Sequence, residues 1–237
     1  PARVIRGRFD APMFTDIDGP GAILQLNAEG RPIHDGVVKV PFRVHVPRKV
    51  LERGESAQLL QFGHGFFGSC DEVLSGIQIN FAEDRGYAMA CVDWVGMTTV
   101  DGAHVLTLLA TEPEQTFTFI DRVYQAMANQ LTFTSVLTEL AKKTEAQFEN
   151  GTPMWTDNIQ FLGISQGHIL GGVIAALSPA FTRTVLHVGG GPFSLIMTRS
   201  VSFGAFDMML RTSVDAEDAI KFQALAPTAL EHIDPVT

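Results

Sequence analysis

Asn158-Ile159-Gln160-Phe161-Leu162-Gly163-Ile164-Ser165-Gln166-Gly167 is an apolar run that breaks at a glycine, carries a serine two positions on, and passes through a second glycine into a stretch rich in small residues, Gly167 to Leu177. Strand, tight turn and helix in that order are what a G-x-S-x-G nucleophile elbow requires, because the serine must stand on a strained turn with its hydroxyl above the sheet edge. The glycines two positions either side of Ser165 are expected where any Cβ would collide with the neighbouring strand or helix. A pattern of three fixed positions also recurs as a plain turn. Its setting between strand and helix favours the catalytic reading, with Ser165 as nucleophile.

A second element works with the first. Ala57 to Phe62 is a short apolar run that ends in Gly63-His64-Gly65-Phe66-Phe67-Gly68-Ser69, upstream of the elbow. Glycines let main-chain N–H groups turn inward, where one of them can face the oxygen of a tetrahedral intermediate. The oxyanion hole is expected from the N–H groups of Phe66 and Gln166. The Phe66 ring would line an acyl pocket, with His64, Phe67 and Phe193 as further pocket candidates. A glycine-rich loop with buried aromatics is the bland alternative.

His64-Gly65-Phe66-Phe67-Gly68, Asp93-Trp94-Val95-Gly96 and Gly163-Ile164-Ser165-Gln166-Gly167-His168 together make the chain resemble the α/β-hydrolase superfamily over roughly residues 35 to 190. It looks most like bacterial serine hydrolases of the esterase or lipase type. The resemblance implies a mostly parallel sheet with helices on both faces, a serine nucleophile, an acid after a later strand and a histidine after the last one. It implies cleavage of a small-molecule or lipid-like ester through an acyl-enzyme, with no metal and no organic cofactor. Amidases, peptidases and acyltransferases share these motifs, and a non-catalytic protein on the same scaffold is a further alternative. Asp93 is implied to brace the loop beside the oxyanion hole.

The chain departs from that pattern after the elbow. One convincing strand follows, Thr184 to Val188, and then helix-like segments. His168 lies three residues past the serine and reads as a helix-start residue packed below the turn. His187, inside the apolar strand, reads as a core histidine, which leaves His232 in Glu231-His232-Ile233-Asp234 as the weak candidate base. Asp207, Asp215, Asp218 and Asp234 read as solvated or capping residues. The expectation is a C-terminal part that is incomplete, with acid and histidine carried by a second polypeptide that completes the fold and covers an otherwise exposed sheet edge. Truncation, or a triad that is never completed, would leave the same gap.

The rest of the chain fits this frame. With 46% hydrophobic and 18% charged residues, the 237-residue chain can bury a large core. A mean hydropathy of +0.15 suits surface meant to be covered or a lipid-like pocket. The net charge of −9 argues against nucleic acid as a partner, since phosphate binding needs clustered Lys and Arg. No apolar stretch reaches the length of a membrane span. Cys70 and Cys91 could pair or stay as buried thiols, and Asn150-Gly151-Thr152 could be a glycosylation acceptor or a turn; with a start at Pro1 these weakly favour a secreted or periplasmic protein.

Residues 1–192 are expected to form the hydrolase core. Arg3 to Phe9 reads as a strand. Val37 to Val46 alternates apolar and polar like a half-buried strand near a sheet edge, where Pro41 is tolerated. Asp71 to Asp84 reads as a helix with Asp71 and Glu72 at its positive end. Tyr87 to Trp94 reads as a strand, and Glu114 to Lys143 as a long helix with a core stripe of Phe119, Val123, Met127 and Leu131. Residues 193–237 change character: Phe193, Leu195, Met197, Phe203, Phe206, Met208 and Met209 read either as a helical lid over an acyl pocket or as a core helix.

Overall fold

The computed structural model describes residues 2–197 and 199–236. Six strands form one sheet: β1 (Arg3–Pro12), β2 (Val37–Val46), β3 (Ala57–Gly63), β4 (Tyr87–Val92), β5 (Trp155–Ile164) and β6 (Arg183–His187), in the order β1-β2-β4-β3-β5-β6. β4, β3, β5 and β6 run parallel, while β2 lies antiparallel to both β1 and β4. The helices are α1 (Arg48–Arg53), α2 (Gly76–Arg85), α3 (Thr99–Thr111), α4 (Phe119–Leu140), α5 (Gln166–Leu177), α6 (Phe193–Met197), α7 (Gly204–Ser213) and α8 (Ala216–Leu230).

Alternation along the strands sends side chains to two covered faces. On one, Phe133 and Leu137 of α4 pack with Leu59, Ile159, Phe9 and Phe42, the Phe133 ring 5.4 Å from Phe9 and 5.6 Å from Phe42. Ile169, Leu170 and Ile174 of α5 join Phe161 on the same side. On the other face Leu60, Phe62, Met89 and Cys91 lie under Val73 and Ala82. Each large apolar side chain so buried contributes roughly 1.5–3 kcal/mol. A polar seam registers α4 on the sheet: Gln61 Nε2 donates to Gln130 Oε1 at 2.8 Å, Thr134 Oγ1 donates to Gln61 Oε1 at 2.9 Å, and Gln130 Nε2 donates to the Val92 carbonyl at 3.1 Å. Buried amides satisfied in this way fix one arrangement, because any slip would orphan them.

β2 lies near the sheet edge as expected, with only β1 outside it, and Pro41 sits beyond Phe42–His45, the stretch that pairs with β4. Two expectations need correction. The helix expected over Asp71 to Asp84 splits into a 3₁₀ turn, Cys70–Leu74, and α2, because Ser75 is extended at φ −83°, ψ 162°. β6 is exposed along its whole length, His187 included, so that histidine is not in the core. Asp234 takes the capping alternative: it is buried and accepts the Phe193 N–H at the start of α6. The open question about the cysteines is resolved: Cys70 and Cys91 form a disulfide between the 3₁₀ turn and β4.

Parallel strands bring their carboxyl ends to one side of the sheet, which is where ligands bind in open α/β sheets. The loop after β3, the turn after β4 and the serine after β5 all converge there.

Candidate active site

Ser165 joins β5 to α5 with φ 56° and ψ −116°, a conformation an L-residue holds only when its surroundings impose it. The flanking glycines supply that constraint. A Cβ on Gly163 would stand 2.0 Å from the Gly167 carbonyl oxygen, and one on Gly167 would stand 2.1 Å from that of Gly63. The start of α5 is thus pressed against the ends of β5 and β3, and the chain can pass only through a bend. The Ser165 N–H donates to the His187 carbonyl at 2.9 Å, and its own carbonyl accepts from His168 N at 3.0 Å. Its hydroxyl has no partner among the described residues.

The loop after β3 is held amide by amide. Gly65 N–H donates to both Glu72 carboxylate oxygens at 3.1 Å, Phe67 N–H donates to Gln166 Oε1 at 3.1 Å, and Gly68 N–H donates to the Gly65 carbonyl at 3.1 Å. The Phe66 N–H is left without an acceptor among the described residues, as is the N–H of Gln166 at the open N-terminus of α5. Phe67 has φ 45°, and a Cβ on Gly68 would come 2.1 Å from Glu72 Oε1. Asp93 Oδ1 accepts from Cys70 N–H at 2.6 Å, and the disulfide anchors the far end of the loop to β4.

His64 lies behind the loop and lines neither cavity described below. Its Nε2 accepts from Trp94 N–H at 2.8 Å, and its Nδ1 sits 3.0 Å from the Gly65 carbonyl, which can only accept. The ring is therefore neutral with its proton on Nδ1. Burial holds its pKa below the ordinary value, against the Gly65 carbonyl and the nearby Asp93, Glu72 and Asp101 carboxylates, which pull it up.

Two cavities adjoin the loop. The first, about 380 Å³ with its mouth, is lined by Ser165, Gln166, Phe66, Val188, Phe193 and Phe203, among others. Val188, like Ser165 and Phe67, is a non-glycine residue at positive φ, so all three such residues of the described chain border these cavities. Strain of this kind collects at functional sites, since only an over-determined structure sustains it. The second cavity, about 700 Å³ with its mouth, lies between the loop, α3 and the α6–α8 segment, and Phe66, Phe67 and Phe193 all line it.

No protein-family model matches the chain, and no curated protein matches it. Solved structures do. Prolyl oligopeptidase B from Galerina marginata, bound to a 35mer hydrolysis and macrocyclization substrate, aligns at TM-score 0.50 and 12% identity, over 99% of this chain and 26% of that one. The chain has the α/β-hydrolase fold. Acylaminoacyl peptidase from Pyrococcus horikoshii is similar at TM-score 0.45 and 13% identity, over 98% of this chain and 29% of its own. The 2,6-dihydroxy-pseudo-oxynicotine hydrolase is similar at TM-score 0.45 and 16% identity, over 94% and 46%. The chain spans less than a third of the length of either peptidase.

An α/β-hydrolase fold that runs a serine mechanism also needs a base and an acid, and the described residues bring neither to Ser165. None of the residues lining the Ser165 cavity is a histidine or a carboxylate. His168 accepts the Gly189 N–H on Nδ1 at 2.9 Å, and burial, then the neighbouring His187, lowers its pKa. His232 is exposed beside Glu231. Asp234 accepts the N–H groups of Phe193 and Val236, capping α6 from a buried position. Asp215 caps α8, Asp218 pairs with Lys221, and Asp207 pairs with Arg211.

Glu72 and the Gln166 side chain are what sequence reasoning missed. Glu72 reaches back seven residues to the Gly65 amide and Gln166 reaches across the cleft, and a carboxylate near the start of a helix already has a sufficient local explanation. The gap between the two motifs held no local signal for either contact.

Proposed function

We propose that this chain carries the nucleophile and oxyanion hole of a serine hydrolase that cleaves carboxylic esters through an acyl-enzyme. Ser165 Oγ attacks the carbonyl carbon while a base takes its proton, and the N–H groups of Phe66 and Gln166 receive the oxyanion. The alcohol leaves with that proton. Water then attacks the acyl-enzyme, the carboxylic acid departs and Ser165 regains its proton. The observation that carries the reading is the strained Ser165, its hydroxyl unpaired, in one cleft with the two loop and helix amides that lack acceptors.

Base and acid, on this reading, come from polypeptide that pairs with β6. That strand has no outer neighbour among the described residues, with Val185 55% and Leu186 38% exposed. An unpaired apolar edge of this kind is a template for another strand. The disulfide supports export to an oxidising compartment. No helix of the described chain is long and apolar enough to cross a membrane.

The test is to treat the protein, purified from its source with whatever remains bound, with a fluorophosphonate and to locate the adduct by mass spectrometry. An adduct on Ser165, with Ser165→Ala lowering p-nitrophenyl ester hydrolysis on the order of a millionfold, is the expected result. Hydrolysis without an adduct on Ser165 overturns the assignment, and neither adduct nor hydrolysis supports a non-catalytic scaffold. Faster turnover of a p-nitroanilide than of the matching ester would turn the reading to an amidase or peptidase.

A further inference from the structure

Consecutive peptide groups of the loop after β3 are pinned from outside, and one N–H among them is left over. The Gly65 N–H is taken by Glu72, the Gly65 carbonyl by His64 Nδ1–H and the Gly68 N–H, and the Phe67 N–H by Gln166 Oε1. The N–H between them, that of Phe66, has no acceptor among the described residues.

Its direction follows from the group it belongs to. Among the described residues the cis peptide bond is Gly191–Pro192, so Gly65–Phe66 is trans. In a trans peptide group the N–H points opposite to the carbonyl, and the two turn together as one plane. The Gly65 carbonyl lies 3.0 Å from His64 Nδ1, so the Phe66 N–H points away from the imidazole. His64 lines neither cavity, whereas Phe66 lines the Ser165 cleft, and a Cβ on Gly65 would stand 3.9 Å from Ser165 Cβ.

Sterics alone do not impose this orientation. Gly65 has no Cβ, so the plane beside it turns at little cost, and half a turn would put a carbonyl oxygen where negative charge is to be stabilised. The Gly68 N–H holds the same carbonyl but moves with the loop. His64 does not: its ring is buried and its Nε2 accepts from Trp94 N–H at 2.8 Å, in the turn after β4. With both nitrogens engaged it is no base for Ser165.

We propose that His64 is a positioning residue, whose Nδ1–H holds the Gly65 carbonyl and so aims the Phe66 N–H at the oxygen of a carbonyl seated on Ser165. The consequence for rate rests on the serine hydrolase reading; the ring's tautomer and contacts do not.

The two nitrogens can be tested apart. In His64→Asn the side-chain amide lies where Nδ1 stood and still donates to Gly65, while nothing reaches Trp94. In His64→Gln the amide oxygen accepts from Trp94 at the Nε2 position, while nothing donates to Gly65. Ester hydrolysis is measured on protein purified from its source with whatever remains bound. His64→Asn should lower kcat by about threefold and His64→Gln by about a hundredfold with KM within about twofold, since a lost oxyanion donor acts on the transition state. A ring that only braces the Trp94 turn predicts the reverse order. That reverse order, equal losses, no loss in either variant, or a loss confined to KM overturns the proposal. The tautomer is read from the ring-nitrogen NMR shifts of the isotopically labelled wild-type chain, so it decides even if neither variant folds. A proton on Nδ1 is expected, and a proton on Nε2 overturns the proposal. Hydrolysis that survives Ser165→Ala would fell the hydrolase reading and the role of His64 with it. The reverse order in a Ser165-dependent enzyme removes His64 alone.

Discussion

The two banks of the Ser165 cleft are held by different means. On the bank formed by β3, the loop 63–69 and the bend at Ser165, main chain touches main chain: Gly163 and Gly167 exclude any side chain, and Glu72, Gln166, Asp93 and the disulfide take up the loop from several directions. On the bank formed by β6 and α6–α8, the strand is exposed throughout, Val201 is 96% exposed, and Gly204 has no atom within 4 Å of where a Cβ would stand. The first bank fixes Ser165 and the N–H groups of Phe66 and Gln166, the proposed nucleophile and oxyanion donors, by steric necessity. The second presents apolar surface to whatever lies against it. Such a division lets half of the proposed catalytic apparatus be rigid although the described residues bring no base to Ser165.

The contrast can be broken at the glycines first. Gly167→Ala should cost about 4 kcal/mol or more in urea unfolding, or prevent folding, because the new methyl meets a carbonyl oxygen that cannot retreat. Removing the tether of the same bank comes next. Cys70→Ala with Cys91→Ala opens a loop of 21 residues and should lower stability by about 3 kcal/mol. Glu72→Gln keeps the shape but trades a charge-assisted bond to Gly65 N–H for a neutral one, so a loss of about 1 kcal/mol is expected, together with slower fluorophosphonate labelling of Ser165. The smallest effect belongs to the other bank and has the opposite sign. Gly204 has helical φ −55° and ψ −40° in open space, and Gly204→Ala should stabilise by about 0.5 kcal/mol. A cost at Gly204 similar to that at Gly167 would show that the second bank is packed as tightly as the first.

The bend at Ser165 is legible because its cause is local: residues two apart decide whether a sharp turn fits between strand and helix. The order of strands around it was legible for the same reason, since alternation and run length betray a strand wherever it lies. Which strand neighbours which was not. Val37 to Val46 has the pattern of a strand near an edge, and nothing in it names β1 as the strand that lies outside. Thr184 to Val188 has the pattern of a buried strand, yet β6 is bare. Periodicity records how a strand is meant to be covered and is silent on what covers it.

Ser165, its flanking glycines and the Phe66 loop could be named from residues close in the chain, because sterics over five positions leave little choice. His64 facing inward onto Trp94, Gln166 across the cleft and the paired cysteines all depend on where distant segments come to rest. Each is a contact between groups whose partners are set by sheet order and helix packing, and those long-range arrangements leave no trace in the spacing of either partner.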